Sequence, residues 1–149
     1  MPEVVVRRVV AAPRGRLWDL ATDLEGAPAV LRQVDRVEVL TRGPFGVGTR
    51  WRETRTVLGR SETEEMTVTA VRPGTSYTVE AESRGTRYRS VFRFTDLDGG
   101  ATEVTLRFGA TPSGVATRVL SALTAPLARV AVARALRGDL DDLAAAATR

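Results

Sequence analysis

The chain has 149 residues, enough for one domain that buries about two thirds of its unfolded surface. All 22 basic residues are Arg, set against 18 acids for a net charge of +4, and Lys, His, Cys, Asn and Ile are absent. These absences exclude a Ser-His-Asp triad, a cysteine nucleophile, a lysine Schiff base and any His/Cys metal site, so chemistry must come from Asp, Glu, Tyr, Ser, Thr, Arg or the backbone.

The opening Met1-Pro2-Glu3-Val4-Val5-Val6-Arg7-Arg8 carries charge where a signal peptide would have its apolar run. No stretch approaches the roughly 18 uninterrupted apolar residues of a membrane span. A cytoplasmic protein with no integral membrane association is expected. Residues 3–10 read as a β-branched strand ending at Ala11-Ala12-Pro13. Leu17, Trp18, Leu20, Ala21 and Leu24 then recur at helical spacing, which predicts a helix from Arg16 to Leu24. Gly26 and Pro28 end it, and Ala29 to Arg32 suits one more helical turn. From Val34 the period changes to two, giving strands near 34–41, 48–57, 62–71, 76–83, 86–96 and 101–110 with Gly- or Pro-bearing turns between them. Beyond them Val115, Val119, Leu123, Val130, Leu136, Leu140 and Leu143 are spaced for one stripe of a long helix. Pro126 is expected to kink that helix and Gly138 to weaken it. The order is an α+β pattern: a seven-stranded antiparallel sheet whose apolar face needs the C-terminal helix as its cover.

Turn residues and parity assign the faces, because a slip of one residue exchanges them. A two-residue turn at Arg84-Gly85 sets Ala81 opposite Tyr88, Val79 opposite Ser90 and Tyr77 opposite Phe92. The other face then pairs Glu82 with Arg87 and Glu80 with Arg89. A turn at Asp98-Gly99-Gly100 sets Phe94 against Val104 and Phe92 against Leu106. Across Leu58-Gly59-Arg60, Trp51, Glu53 and Arg55 are expected to face Val68, Met66 and Glu64. Trp51, Tyr77, Tyr88, Phe92, Phe94 and Phe108 thus share the concave side, which is polar near Glu53, Arg55, Glu64, Tyr88 and Ser90.

The Val-rich first strand, Ala12-Pro13, Leu17-Trp18-Asp19-Leu20 and Asp23 resemble the start of the polyketide cyclase/dehydrase and lipid-transport family of the START/Bet v 1-like superfamily. Gly43-Pro44-Phe45-Gly46-Val47-Gly48-Thr49-Arg50-Trp51 is similar to that family's Gly-rich entry to its third strand. Glu64 to Val71, followed by Pro73, is similar to its fourth strand and the turn after it. The resemblance covers essentially the whole chain. It implies a helix-grip fold, in which a curved seven-stranded sheet wraps the C-terminal helix and leaves an elongated cavity. It also implies a small hydrophobic or amphipathic partner such as a lipid or polyketide. The family includes lipid carriers, hormone receptors and aromatase/cyclases, so the fold alone does not choose an activity.

Trp51, Tyr77, Phe92, Phe94 and Phe108 either fill a core against the helix or line a pocket. Room for a pocket comes from Ala116, Ala122, Ala125, Ala128, Ala131, Ala133 and Ala135 on the helix, and Tyr77, Tyr88 and Ser90 would orient an otherwise apolar ligand. Glu53, Arg55 and Glu64 admit two readings. They form an ion-paired network, since buried charge requires a partner. Alternatively, Arg55 holds a ligand carboxylate or enolate oxygen, Glu53 or Glu64 moves a proton, and Tyr88 donates to a carbonyl. The binding set is therefore Trp51, Glu53, Arg55, Glu64, Met66, Tyr77, Tyr88, Ser90, Phe92 and Phe108, with Glu53, Arg55, Glu64 and Tyr88 as the catalytic candidates. The Gly43–Gly48 loop is a tight connection or a gate with Phe45 at the mouth, and Trp18 is a core anchor. No cofactor or metal is expected. Neither is nucleic acid, because Arg87 and Arg89 face glutamates, Arg50, Arg52, Arg93 and Arg107 are dispersed, and Arg129, Arg134 and Arg137 are followed by Asp139, Asp141 and Asp142. A monomer or homodimer that binds a small, mainly apolar ligand in an internal cavity is expected, and transport is one use of such binding. A cyclase, aromatase or dehydratase using the same cavity is the alternative, and a protein-interaction module the third reading.

Overall fold

A computed structural model of the chain describes residues 3–57, 59–83, 85–112 and 126–149. Strand β1 (Glu3–Val10) leads into helices α1 (Arg14–Thr22) and α2 (Ala27–Val30). Strands β2 (Val34–Val39), β3 (Arg50–Val57), β4 (Arg60–Arg72), β5 (Ser76–Ser83), β6 (Thr86–Asp96) and β7 (Thr102–Pro112) follow, and then helix α3 (Pro126–Ala147). The strands form one curved antiparallel sheet in the order β1-β7-β6-β5-β4-β3-β2. Consecutive hairpins build β2 through β7, while β1 pairs with β7 at the far edge. Helices α1 and α2 therefore carry the chain across from one edge of the sheet to the other. Helix α3 packs against β1, α1 and α2, which completes a helix-grip fold. No described helix is long and apolar enough to cross a membrane.

The helices before β2 sit about two residues earlier than periodicity alone places them. The Pro13 carbonyl accepts from the N–H of both Arg16 and Leu17, so α1 starts at Arg14. It ends at Thr22 because Asp23 leaves helical geometry and its carboxylate accepts the Gly26 N–H at 3.2 Å. In α2, Pro28 lies in the first turn, where a missing N–H breaks no helical bond.

Two bulges keep apolar side chains on the inner face. The pairing of β2 with β3 shifts between Val34 and Arg36, and that of β4 with β5 between Val68 and Ala70. Each inserts one residue, Asp35 or Thr69, which reverses the alternation once. Val34, Val37 and Val39 consequently share a face, as do Val68 and Val71. The β5–β6 and β6–β7 registers are those expected, with Tyr77 opposite Phe92 and Phe94 opposite Val104. The β3–β4 register is not. Val57 pairs with Arg60 across a two-residue connection, so Trp51 faces Met66, Glu53 faces Glu64 and Arg55 faces Glu62. Gly59, at φ +77°, allows the tighter turn. The difference is a slip of two residues, which preserves faces and changes every partner.

On the inner face, Val6, Leu17, Phe94, Val104, Leu106, Leu140 and Leu143 form the core. On the outer face, Arg50 pairs with Glu65, Arg52 with Glu38 and Arg107 with Glu3. Glu80 and Glu82 stand opposite Arg89 and Arg87 in register.

The expected stripe of the long helix needs one correction: Val130 is 56% exposed, whereas Leu140 and Leu143 are buried. Val130 lies about 160° around the helix from Val132, which lines the cavity, and so faces away from it. Leu58 and Arg84 of the turns, Val115, Val119 and Leu123 of the stripe, Ala116, Ala122 and Ala125, and the residues needed to judge a kink at Pro126 lie outside the described residues. Gly138 has a structural reason. A Cβ there would stand 2.9 Å from Gln33 Nε2, which donates to the Ala135 carbonyl and to Asp139. Gly138→Ala is therefore expected to give no net stabilisation in urea unfolding. The gain of about 1 kcal/mol in helix preference is offset by displaced Gln33 hydrogen bonds at about 1 kcal/mol each.

Candidate functional site

The alternation of β3–β7 aims one side chain in two from each strand at α3. The small Ala131 and Ala135 keep the helix from filling the space that results. A cavity of about 440 Å³ lies there. Among the described residues its wall is apolar over most of its extent, including Leu20, Leu24, Val30, Leu31, Met66, Val79, Phe92, Leu106, Phe108 and Leu136. A recess of about 320 Å³ shares Glu64, Met66, Val79, Ser90 and Phe108 with it and adds Ala81 and Tyr88. Tyr88 is stacked on Phe108 with ring centroids 5.7 Å apart. Behind the wall, Tyr77 packs with Trp18 and Phe94 as an aromatic group, with Trp18 edge-on to Tyr77 at 5.7 Å and to Phe94 at 5.8 Å.

Part of the lining, from β3 and α3, is charged. Successive inward positions of β3 present Trp51, Glu53 and Arg55, and α3 presents Asp139 one turn beyond Ala135 and Leu136. Arg55 Nε donates to Glu53 Oε2 at 2.6 Å. Its Nη1 donates to Asp139 Oδ1 at 3.1 Å, and its Nη2 lies 2.9 Å from Asp139 Oδ2, a two-point pair between sheet and helix. The Trp51 indole donates to Glu53 Oε1 at 3.3 Å, and Gln33 Nε2 donates to Asp139 Oδ1 at 3.3 Å. One turn on, Asp142 accepts from both the backbone N–H and the Nε of Arg32, each at 2.9 Å. Two buried acids thus tie the segment before β2 to α3.

The electrostatics follow from this burial. Desolvation opposes the Arg55 charge, but attraction to Asp139 and Glu53 outweighs it and holds the guanidinium above its ordinary range. Burial pushes the Asp139 carboxyl up; Arg55 opposes the shift, while Glu53 and Asp142 add to it. Burial, then the charges of Glu53 and Asp139, also raise the Tyr77 phenol, which stays protonated as a donor. A carboxyl that holds its proton more tightly folded than unfolded stabilises fully below its unfolded value, near 3.8, and loses that contribution as pH rises through its folded value. The stability advantage of wild type over Asp139→Asn is therefore expected to narrow from pH 4 to pH 7, as read from urea midpoints along that series.

Trp51, Glu53, Arg55, Glu64, Met66, Tyr77, Ser90, Phe92 and Phe108 all line the main cavity, and Tyr88 lines the recess beside it. Phe45 packs edge-on against Tyr77 at 5.1 Å and Trp18 at 6.3 Å. Arg55, expected opposite Glu64, stands opposite Glu62 and gives its guanidinium to Glu53 and Asp139. The sequence groups Asp139 with Asp141 and Asp142, as acids following surface arginines. In the structure Asp139 and Asp142 are buried and Asp141 is exposed, paired with Arg8 at 2.6 Å. The signal for Asp139 is its spacing, three residues after Leu136 and four before Leu143, on the apolar stripe itself. Of the helix alanines, Ala131 and Ala135 line the cavity, while Ala133 packs against the core.

Residues 1–148 match the family model described as polyketide cyclase / dehydrase and lipid transport. The chain belongs to this family. Solved structures of similar fold include TTHA0849 of Thermus thermophilus, with TM-score 0.74 and 24% identity over 99% of this chain and 97% of that one. Zhui aromatase/cyclase from Streptomyces sp. R1128 is similar at TM-score 0.78 and 21% identity, over 99% and 93% of the two chains. A START superfamily protein from Mycobacterium smegmatis is similar at TM-score 0.69 and 16% identity, over 95% and 98%. At these identities the likeness to the solved structures establishes the helix-grip fold. No curated protein matches the sequence. Membership of the polyketide cyclase/dehydrase and lipid transport family points to ligand binding or polyketide cyclisation.

Proposed function

We propose that this chain is a single domain that binds one mainly apolar, amphipathic small molecule, of lipid or polyketide type, between the sheet and α3. The observation that carries this reading is the cavity of about 440 Å³, whose described lining is mostly apolar, with Glu53, Arg55, Glu64, Tyr77, Ser90 and Asp139 as its polar groups. That size falls within the roughly 300–1,000 Å³ of small-molecule sites, and a few polar groups in an apolar wall are what fix a ligand's orientation. Affinity comes from apolar surface removed from water, at about 25 cal/mol per Å².

Filling the space tests the reading. Ala131→Phe places a ring where the cavity lies and is expected to weaken binding of an amphipathic probe at least about tenfold while leaving the circular dichroism spectrum unchanged. Undiminished binding in that variant contradicts an internal site. Native mass spectrometry of the purified protein provides a second check, through a co-purifying lipid or aromatic compound.

Cyclisation or dehydration of a polyketide-like substrate is the second reading. Its support is Asp139, a buried cavity carboxyl shifted upward and able to exchange a proton beside a fixed guanidinium. The fold of an aromatase/cyclase is compatible with it. Loss of turnover with retained binding in Glu53→Gln, Arg55→Gln or Tyr88→Phe favours the enzyme; binding without turnover in the wild type favours the carrier.

A further inference from the structure

The strongest donors in the cavity wall are already occupied. Three of the five N–H donors of Arg55 face carboxylate oxygens, at 2.6, 2.9 and 3.1 Å, and the Trp51 indole donates to Glu53. Tyr77 is different. It lines the cavity and is 5% exposed. Its ring is held from three sides, stacked on Phe92 at 4.8 Å and edge-on to Phe45 at 5.1 Å and Trp18 at 5.7 Å. Its hydroxyl makes no hydrogen bond among the described residues. Nor is that oxygen sealed in: among the described residues, the enclosed side-chain oxygen without a partner belongs to Thr86. The Tyr77 hydroxyl therefore borders open space, and the space its side chain lines is the cavity. A phenylalanine would make the same ring contacts, so the hydroxyl adds nothing to the packing.

We propose that the Tyr77 hydroxyl orients the ligand and selects it, by donating a hydrogen bond to an uncharged acceptor oxygen, a ketone or ester carbonyl, on an otherwise apolar molecule. This rests on the reading above that the cavity binds such a molecule. Burial, and then the charges of Glu53 and Asp139, keep the phenol protonated, so it remains a donor at neutral pH. The ring contacts fix where the donor stands, so little freedom is lost when the bond forms. Most of the surrounding wall is apolar, so a carbonyl that enters without meeting the hydroxyl gives up its water and gains no partner. A ligand without an acceptor leaves the hydroxyl unpaired, which costs affinity as well. Ser90 is the other uncharged hydroxyl of the cavity wall, on β6 and diagonal to Tyr77 across the β5–β6 pairing.

The test uses the full chain at pH 7.5 and two probes of nearly equal shape, 2-acetylnaphthalene and 2-ethylnaphthalene, each below its solubility limit. Binding is followed by NMR titration at the indole N–H of Trp51, which lines the cavity. In Tyr77→Phe the affinity for the acetyl probe relative to the ethyl probe is expected to fall about threefold to tenfold, the worth of one hydrogen bond. The urea midpoint of the ligand-free protein is expected not to fall in the same variant, because no internal hydrogen bond is removed. A ratio that Tyr77→Phe does not move, including one that Ser90→Ala moves instead, overturns the role of Tyr77 while leaving the binding function standing. A lower midpoint in Tyr77→Phe shows that the hydroxyl serves the fold and overturns it equally. Absence of saturable binding by both probes to the wild type overturns the binding function itself, and the selectivity with it.

Discussion

Arg55→Met is expected to destabilise the protein by about 3–5 kcal/mol, seen as a lower urea midpoint. The magnitude comes from what the substitution leaves behind. Glu53 and Asp139 are mostly buried, with side chains 11% and 7% exposed, and the guanidinium between them is the cation both contact. Removing one partner of a buried ion pair strands uncompensated charge, at a cost of that order. Neutralising the partners separates this cause from lost packing. Addition of Glu53→Gln and Asp139→Asn to Arg55→Met is expected to recover most of the loss, because buried groups without charge need far less solvation. Gln at position 53 also keeps an acceptor for the Trp51 indole. A triple variant as unstable as the single one would show that the guanidinium stem, and not its charge, holds β3 to α3.

Phe94→Ala is expected to cost about 3–5 kcal/mol as well, through a different mechanism. Phe94 is 1% exposed and meets the rings of Trp18 and Tyr77. Truncation removes the transfer energy of the ring and leaves a void that the rigid sheet and α1 close only in part. Phe94→Leu keeps more volume and is expected to cost less than half as much. The two large effects thus differ in kind: one charge pair joins β3 to α3, and one aromatic contact joins β6 to α1.

The fold was legible because its signals are local. Two-residue turns, β-branched alternation and a long Ala-rich segment each depend on neighbours within a few positions, and parity placed six aromatics on one face. Less was legible where the chain departs from regular alternation. The bulges at Asp35 and Thr69 carry no Gly or Pro to announce them. A two-residue turn fits at Leu58-Gly59 or one position on, at Gly59-Arg60, and the second choice pairs Arg55 with Glu64. Both choices keep the inner face apolar, so hydrophobic patterning does not separate them.

The arginine-only, histidine-free composition determined by itself which chemistries are absent, and the alternation determined that Arg55 and Glu53 point inward. Neither determined the partner of Arg55. Asp139 lies 84 residues away and becomes its neighbour only when α3 crosses the sheet. Local patterning reports which face a side chain occupies, because that depends on backbone period alone. The pairing of charges across that face depends on how far α3 slides along the sheet and how it turns, which packing against β1, α1 and α2 decides. The cavity and the charge pairs along it therefore belong to the tertiary structure.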